Sequence, residues 1–462
     1  MGCDYEVTVI GGGAAGYVAA IQAAQAGKKT CLIEGNKLGG TCLNVGCIPT
    51  KVLAKSASLL NEIRRAEQFG IVGGDFSKAE VDMDKLQARK QAVTKQLVGG
   101  VASLLQGNHI TVVRGRAAFQ DEHTVEVDTG KTITSEYFIV ATGSETVIAK
   151  AIAQEGNCHV LTSTEALELK QVPTSMAVLG GGVIGIEFAY VLSQLGCKVT
   201  VLEMMDRILP MVDREISALA QKRLEKAGVA FYLGARVKTL RDDRVIFELD
   251  GQERDIQTES VLMSVGRRPS TQGLNAQGIG LEFDRAAIRC DETMRTNLPH
   301  IYAVGDVNGK SMLAHTAFHE AETAVKNICG EHAAMRYDRI PSCIYMEPEI
   351  ACVGLTEEQA RERYGDGVKV GRFPALANGK SLVEGDTDGM FKVIVDREYG
   401  EILGVHMYGL HVTEMIAQFS AAMEAEATAE EIIHAVQPHP TVSEGLGEAF
   451  LSAWKGAAIH NL

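Results

Sequence analysis

The chain has 462 residues, of which 46% are hydrophobic and 23% are charged, and its net charge is −14. This composition excludes a disordered chain, and at roughly 150 residues per domain the length predicts about three domains. The acidic balance argues against nucleic acid and anionic membranes as partners, because both require a basic surface. No apolar run reaches the roughly 18 residues of a membrane span, and the N-terminus does not look like a signal peptide. Ten cysteines are too few for a disulfide scaffold, so a reducing cytoplasm is the expected compartment.

A dinucleotide-binding unit is predicted at the N-terminus. YEVTVI predicts a strand that runs into GGGAAG, an alanine-rich helix follows, and KTCLIE predicts a second strand ending at Glu34. Gly11, Gly13 and Gly16 have the G-x-G-x-x-G spacing, and Glu34 follows 18 residues after Gly16. In such a βαβ unit the glycines let the backbone approach a pyrophosphate at the helix N-terminus, and the acid accepts hydrogen bonds from a ribose.

The same pattern recurs 169 residues later, with SMAVL, GGGVIG and KVTVLE in the same order. The second set consists of Gly180, Gly182, Gly185 and Glu203. No basic residue immediately follows Glu203, so this unit is expected to prefer NAD to NADP, whose 2′-phosphate the acid would repel. The alternative is that both acids are only solvated strand ends, but that alternative does not explain why they have the same spacing from their glycines.

The segments around the two units predict further structure. Asp82 is expected to cap a long helix whose apolar face packs into the core, and this face consists of Leu86, Val93, Leu97, Val101, Leu104 and Leu105. SVGRRPS after the second unit predicts a return to the first domain, and YAVGD predicts a strand that ends at Asp306. From about residue 340 the pattern changes to three strands and two helices, which indicates a separate α+β domain.

A reactive pair is predicted in GGTCLNVGCIPTK, where Cys42 and Cys47 are five residues apart. Pro49 suits the first turn of a helix, and Lys51 lies one turn beyond Cys47. A cysteine at a helix N-terminus near a lysine is expected to have a depressed pKa, so the pair indicates a dithiol/disulfide relay. The alternatives are a structural disulfide and half of a zinc site, although zinc would require a second ligand pair that the sequence lacks.

A candidate base lies near the C-terminus, in QPHPTVSEGL. His439 stands between two prolines, and thiol chemistry needs a group that titrates near neutral pH. Glu444 is placed to orient the imidazole. The structural alternative is a capping box, in which Thr441 and Glu444 would cap the last helix.

Together these motifs resemble the flavoprotein disulfide reductases, and the resemblance extends from end to end of the chain. It implies an α/β fold with two Rossmann-like dinucleotide-binding domains and a C-terminal α+β dimerisation domain. The implied boundaries are 1–146 and 269–338 for the FAD domain, 147–268 for the NAD domain, and 339–462 for the interface domain. GYVAAIQAAQAG, TCLNVGCIPTK, GGGVIGIE, GRRP, MLAH and DTDG are most similar to the branch that oxidises dihydrolipoamide.

The resemblance also implies which residues contact each cofactor. For FAD they are Gly11, Gly13, Gly16, Glu34, Lys51, Gly115, Thr142, Gly143, Ser144, Asp306 and the turn Met312, Leu313, Ala314 and His315. For NAD they are Gly180, Gly182, Gly185, Glu187, Glu203 and Gly266. No metal site is expected.

The resemblance implies roles for the reactive residues as well. Cys42 would exchange disulfides with the substrate, Cys47 would face the flavin, and His439 and Glu444 would reach this pair from the partner subunit of a homodimer. The lipoyl-bearing partners would belong to 2-oxo acid dehydrogenase complexes or the glycine cleavage system. Gln437-Pro438 departs from the histidine and alanine that members of the family often have before this base.

Three other functions remain alternatives. A glutathione reductase-like enzyme would need basic residues just after Glu203, and a mercuric reductase would need a cysteine pair near the C-terminus, whereas the last cysteine is Cys352. A non-catalytic FAD/NAD-binding sensor would need neither the cysteine pair nor His439 and Glu444.

Overall fold

The two glycine-loop units form two separate sheets in the computed structural model, which describes residues 2–460, and the strands next to each glycine loop are parallel. The N-terminal elements are β1 (Tyr5–Ile10), α1 (Ala14–Gln25), β2 (Thr30–Glu34), α2 (Gly40–Val45), α3 (Cys47–Arg64), α4 (Met83–Gly107), β3 (Thr111–Arg114), β4 (Ala117–Asp121), β5 (Thr124–Val127), β6 (Thr132–Val140) and β7 (Ser144–Thr146). Their sheet has the order β3-β2-β1-β6-β5-β4, with β1 parallel to both β2 and β6. Alanines on α1 are buried, which lets the helix lie close to the sheet.

The second unit repeats this arrangement. Its elements are β8 (Ala153–Glu155), β9 (Val160–Thr162), α5 (Ser163–Ala166), β10 (Ser175–Leu179), α6 (Val183–Gln194), β11 (Lys198–Glu203), α7 (Arg214–Lys226), β12 (Ala230–Leu233), β13 (Arg236–Arg241), β14 (Arg244–Leu249), β15 (Gln252–Gln257), β16 (Ser260–Met263) and β17 (Arg267–Pro269). The order β12-β11-β10-β16-β9 gives a parallel sheet, while β15-β14-β13-β8 forms a smaller, mainly antiparallel one.

The chain then returns to the first sheet. The returning elements are β18 (Phe283–Asp284), β19 (Ala287–Ile288), β20 (Ile301–Ala303) and α8 (Ala314–Ile328). β17 pairs with β7, and β20 adds to β6 in parallel, so the first sheet contains strands from both sides of the second unit. This return places the end of β20 beside the ends of β1 and β6.

The C-terminal segment contains more structure than its sequence pattern predicts. Its elements are β21 (Ser342–Ile344), β22 (Glu349–Gly354), α9 (Glu357–Tyr364), β23 (Val368–Pro374), α10 (Gly379–Glu384), β24 (Met390–Asp396), β25 (Ile402–Gly409), α11 (Val412–Glu424), α12 (Ala429–His434) and α13 (Glu444–Lys455). The prediction of three strands and two helices was incomplete. A bend around Pro348 splits the first predicted strand into β21 and β22, and the predicted pattern did not include β23.

The long helix α4 begins as expected, because the Asp82 side chain accepts a hydrogen bond from the Lys85 amide at 3.1 Å. Its apolar face is only partly in the core. Leu86, Val101 and Leu105 are buried, whereas Val93 is half-buried and two leucines lie at the surface, Leu97 and Leu104. The core beneath α4 is thus shorter than the apolar stripe along it.

The first sheet and the interface sheet each contribute to an apolar cluster with their own helices. The cluster of the second unit also contains residues of α3 and of the interface sheet, so it joins the three parts of the molecule. Among residues 2–460, no helix combines the length and the apolar composition that are needed to cross a bilayer.

Candidate active site

The two glycine loops have nearly identical backbones. Gly11 has φ +104° and Gly180 has φ +103°, which is the left-handed region that glycine adopts without strain. A Cβ atom on Gly16 would lie 1.7 Å from the Gly11 carbonyl oxygen, and one on Gly185 would lie 2.1 Å from that of Gly180. Helices α1 and α6 both begin directly after these turns, so their N-terminal amides face the loops.

The two acids occupy equivalent positions. Glu34 accepts hydrogen bonds from the amides of Gly12 (2.6 Å) and Asn36 (2.5 Å). Glu203 accepts from Gly181 (2.5 Å) and Met205 (2.8 Å). Glu34 is 8% exposed, whereas Glu203 is half-buried. The acids are therefore fixed parts of the loops rather than solvated strand ends.

Several predicted contacts meet at the carboxyl edge of the first sheet. Gly115 (φ +135°) lies beside the end of β2, where its amide donates to the Glu34 carbonyl at 3.0 Å. Ser144 hydrogen-bonds to Asp306, which lies just after β20. Thr142 donates to the carbonyl of Ser270 at 2.6 Å. The structure thus brings these residues together around the first glycine loop.

Sequence analysis did not single out Arg267, which belongs to the GRRP motif. Its guanidinium donates to the hydroxyl and the carbonyl of Ser144, both at 2.8 Å, and reaches the Thr41 hydroxyl at 3.5 Å. Burial lowers the pKa of Arg267, while the charges of Asp306 and Cys47 oppose this shift. The motif that predicted only a chain crossing therefore also links the sheet edge to the cysteine segment.

A second missed residue, Glu320 on α8, lies fully buried beneath Asp306. Its carboxyl group accepts hydrogen bonds from the Gly305 amide (2.5 Å), the Asn308 side chain (2.8 Å) and the Tyr337 hydroxyl (2.7 Å). Burial raises the pKa of Glu320, and these three donors oppose the shift. Glu320 lies in an alanine-rich helical pattern, and no sequence motif indicates that it holds the turn around Asp306.

The 312–315 turn forms the N-terminal end of α8. Leu313 caps the helix without a side-chain hydrogen bond, and Met312 is exposed. A ring nitrogen of His315 bonds to the Pro341 carbonyl at 2.7 Å, and burial lowers the pKa of this histidine. In the second unit, Gly266 (φ +118°) lies at the crossing, where its carbonyl accepts from the Val147 amide at 3.0 Å.

The cysteine pair lies where α2 gives way to α3. Cys42 is half-buried in α2, Cys47 is the first residue of α3, and both are free thiols. A hydrogen bond between the two sulfurs, together with burial, raises the pKa of Cys42. The same hydrogen bond and the positive charge of Lys51 lower the pKa of Cys47 to about 7, although burial opposes this. The pair is therefore asymmetric, with the negative charge favoured on Cys47.

Lys51 and Glu187 form an ion pair across the two nucleotide units. The ammonium group lies 2.9 Å from both carboxylate oxygens, and the Glu187 side chain is 5% exposed. Tyr345, which sequence analysis did not single out, adds its amide to Glu187 Oε1 (3.0 Å) and its ring to Lys51, whose Nζ is 4.4 Å from the ring centroid. The carboxylate of Glu187 is thus directed at the lysine.

The structure also brings His439 and Glu444 together. His439 Nδ1 lies 2.9 Å from Glu444 Oε1, and the imidazole side chain is 80% exposed. Hydrogen bonds from the Thr441 amide and His439 lower the pKa of Glu444 and outweigh the opposing effect of burial. The capping box is only half formed: Glu444 accepts from the Thr441 amide (2.8 Å), but the Thr441 hydroxyl donates to Pro438 and α13 begins at Glu444. Within residues 2–460, Glu444 is the only residue to which the His439 ring hydrogen-bonds.

These observations test whether each unit fits a dinucleotide. A turn closed by glycines, free amides at a helix N-terminus and a fixed acid at the end of the second strand match a pyrophosphate and a ribose. The first unit adds Gly115, Ser144 and Asp306, which suit a longer ligand with further hydroxyl groups. Both units therefore fit dinucleotides, and the first fits the larger one.

Comparison with known families identifies this arrangement. Residues 5–321 match the model described as pyridine nucleotide-disulphide oxidoreductase, and residues 340–450 match the dimerisation domain of the same group. The chain belongs to the pyridine nucleotide-disulphide oxidoreductase family. The fold class predicted from the sequence is confirmed, as are its oxidoreductase class and the use of FAD and NAD. Residues 340–450 carry the domain that supports a homodimer.

Individual relatives cover nearly the whole chain. A dihydrolipoyl dehydrogenase of Bacillus subtilis is 42% identical over 98% of this chain and 99% of that protein. A dihydrolipoyl dehydrogenase of Thermus scotoductus is 41% identical over 99% of each. Among solved structures, the HOCl-induced flavoprotein disulfide reductase RclA of Escherichia coli has a TM-score of 0.85 and 30% identity, over 96% of this chain and 99% of that one.

Proposed function

We propose that this protein is an NAD-dependent dihydrolipoyl dehydrogenase, which oxidises protein-bound dihydrolipoamide to lipoamide. The observation that carries the proposal is the placement of the cysteine pair, with Cys42 in α2, Cys47 at the N-terminus of α3 and Lys51 one turn beyond Cys47. Cys42 keeps its proton, Cys47 favours the thiolate, and Lys51 lies one turn away to stabilise that charge. Full-length relatives named dihydrolipoyl dehydrogenase support the choice of substrate.

The first steps follow from the chemistry of thiol exchange. His439 accepts the proton of one substrate thiol, and the resulting thiolate attacks Cys42 within the Cys42–Cys47 disulfide. The S–S bond breaks, Cys47 leaves as the thiolate, and the substrate is joined to Cys42. The second substrate thiol attacks the substrate sulfur of this mixed disulfide, Cys42 leaves, and the proton of the attacking thiol passes to the Cys42 sulfur. Cys42 is then a thiol, Cys47 a thiolate, and the first proton remains on His439. Lipoamide is released, and its two electrons remain on the cysteine pair.

The assignment of Cys47 as the leaving thiolate agrees with the nearby Lys51 charge, which lowers the pKa of Cys47 and remains when Cys42 is in a disulfide, because a thiol of lower pKa leaves faster. The bond between Glu444 and His439 Nδ1 makes that nitrogen the donor, so Nε2 is free to accept the substrate proton. Bound FAD supplies electron transfer from the reduced pair to NAD. The first glycine loop, Glu34 and Asp306 would hold it, and the second loop and Glu203 would hold NAD.

The base is proposed to act on the cysteine pair of the partner subunit. Its exposed imidazole and its place in the dimerisation segment support this arrangement. Mixed dimers of Cys47→Ser and His439→Gln subunits test it, since each mixed dimer would keep one intact site. Random reassociation should restore about a quarter of wild-type activity from two inactive parents. If each site uses its own subunit's histidine, the mixture will stay inactive.

The substrate is tested by comparing turnover with two substrate pairs. We expect activity with dihydrolipoamide and NAD, and none with glutathione disulfide and NADPH. The reverse result would favour a glutathione reductase-like enzyme, and FAD binding without turnover would indicate a sensor. Lipoyl-bearing subunits of 2-oxo acid dehydrogenase complexes or of the glycine cleavage system are the proposed partners. A cytoplasmic location is proposed because ten cysteines are too few for a disulfide scaffold.

A further inference from the structure

Tyr345 joins the interface domain to the Lys51–Glu187 pair. It follows β21, in the bend that leads to β22, and it is half-buried. Its amide donates to Glu187 Oε1 at 3.0 Å, and its ring lies under the Lys51 ammonium group, 4.4 Å from Nζ to the centroid. Lys51 is thus held by a carboxylate on one side and by an aromatic face on the other.

Helix α6 fixes this bend at two points. Glu187 accepts from the Tyr345 amide, and three residues later Tyr190 donates its hydroxyl to Glu347 at 3.2 Å. Among the hydrogen bonds of residues 2–460, the hydroxyl of Tyr345 has no protein partner. The ring itself, rather than its hydroxyl, is therefore the part of the side chain that acts on Lys51.

From this geometry we infer that Tyr345 is a positioning residue, whose ring face holds the Lys51 ammonium group beside Cys47. Glu187 alone would fix only the end of a long, flexible side chain and would attract its charge away from Cys47. A cation over an aromatic face gains about 0.5–2 kcal/mol, so the ring limits the positions that the ammonium group adopts. The inference rests on the proposed function only in that Cys47 has to be a thiolate for the lysine to matter.

Other charged groups also surround Cys47 and Lys51 and would contribute to any titration. Cys42 from α2, Glu187 from α6, Arg267 from β17 and Asp306 after β20 act on the cysteine pair. Cys343 from β21 lies near Lys51, and Glu349 from β22 and Glu414 from α11 act on Cys343. A substitution at position 345 leaves all of them in place, because Tyr345 contributes its backbone amide and not a charge.

The experiment measures the Cys47 titration in the FAD-loaded Cys42→Ser protein, through the absorption band that a thiolate forms with the flavin. Loss of the ring in Tyr345→Leu is expected to raise the midpoint by about half a pH unit, because the lysine charge is then less well placed. Tyr345→Phe keeps the ring and should leave the midpoint unchanged. Tyr364→Leu is the matched control. It removes another ring of the interface domain that lies near a cation, since the Tyr364 ring centroid is 5.2 Å from Arg363 Cζ.

Fluorinated phenylalanines at position 345 provide a second series for the case that Tyr345→Leu loses FAD. They weaken the negative face of the ring with little change in its size, so the midpoint should rise in steps with fluorination. A purely structural ring would produce no such trend, and a flat series would overturn the inference. A shift in Tyr345→Phe would assign the effect to the hydroxyl and would overturn it as well. No lipoamide is used, so the result is independent of the proposed substrate.

Discussion

The two glycine-loop units are nearly the same in backbone and differ in what surrounds them. Both loops begin with a glycine near φ +104°, and both hold an acid through two backbone amides. The first acid is buried, whereas the second is half-buried. The first sheet edge also receives β20 and Asp306 from the returning chain. Two loops of nearly the same backbone are therefore suited to different cofactors, a resident one in the first unit and an exchangeable one in the second.

The largest expected effect concerns the feature that only the first unit has, the cysteine pair after its second strand. Cys47→Ser removes the leaving thiolate, so activity with dihydrolipoamide and NAD should fall by about a thousandfold or more. Cys329→Ser is the control, because this cysteine is exposed at the end of α8. Steady-state kinetics on FAD-loaded protein measure both. Retained activity in Cys47→Ser would contradict the disulfide relay.

A matched pair of glycine substitutions separates the two units. A Cβ on Gly13 would come no closer than 3.7 Å to Gly40, and one on Gly182 would meet no atom within 4 Å, so the fold accommodates both. Both glycines precede helix N-termini, where a cofactor approaches the backbone. Gly13→Ala should lower the FAD content of the purified protein. Gly182→Ala should leave FAD unchanged and raise KM for NAD roughly tenfold, or about 1.4 kcal/mol.

FAD absorbance measures the cofactor content of both variants, and titrations with NAD measure their KM. The assignment of one cofactor to each unit would be wrong if both substitutions weakened the binding of the same cofactor, or if Gly182→Ala caused loss of FAD.

A smaller effect is expected from the acid of the second unit. Glu203→Gln keeps one oxygen that accepts from the Gly181 amide but loses the charge and the oxygen that accepts from the Met205 amide, so KM for NAD should rise about threefold to tenfold while kcat changes little. The relative preference for NADP should increase, because the repulsion of a 2′-phosphate disappears. Rates with both nucleotides measure the change. An unaltered ratio would show that Glu203 does not select between them.

The sequence predicted the repeated unit well, because its signals are local. Glycine spacing, a helix start and a terminal acid each depend on a few neighbouring residues. The interface domain was predicted less completely, because the bend at Pro348 folds one apolar run into two paired strands, and β23 pairs with β24 on the far side of α10. The apolar stripe of α4 predicted burial for Leu97 and Leu104, and only the shape of the core shows that they lie outside it.

The site follows the same division. Cys42, Cys47 and Lys51 are close in sequence, and their chemistry was predicted from spacing. Glu320 and Tyr345 act across more than ten residues or between domains, and no local pattern marks them. Long-range contacts of single side chains are the part of a site that only the folded structure reveals.

A shift in the titration of Cys47, rather than a loss of activity, is the effect expected from the charge of Lys51. Its pKa is lowered to about 7 by the hydrogen bond from Cys42 and by the charge of Lys51, so in the reduced protein the thiolate should form as the pH rises through about 7. Lys51→Met removes a stabilising charge, and the midpoint should move up by about one pH unit. Lys55→Met, one turn further along α3 and largely exposed, should leave it in place. The thiolate–flavin band reports the midpoint, and a downward shift in Lys51→Met would show that the lysine does not stabilise this thiolate.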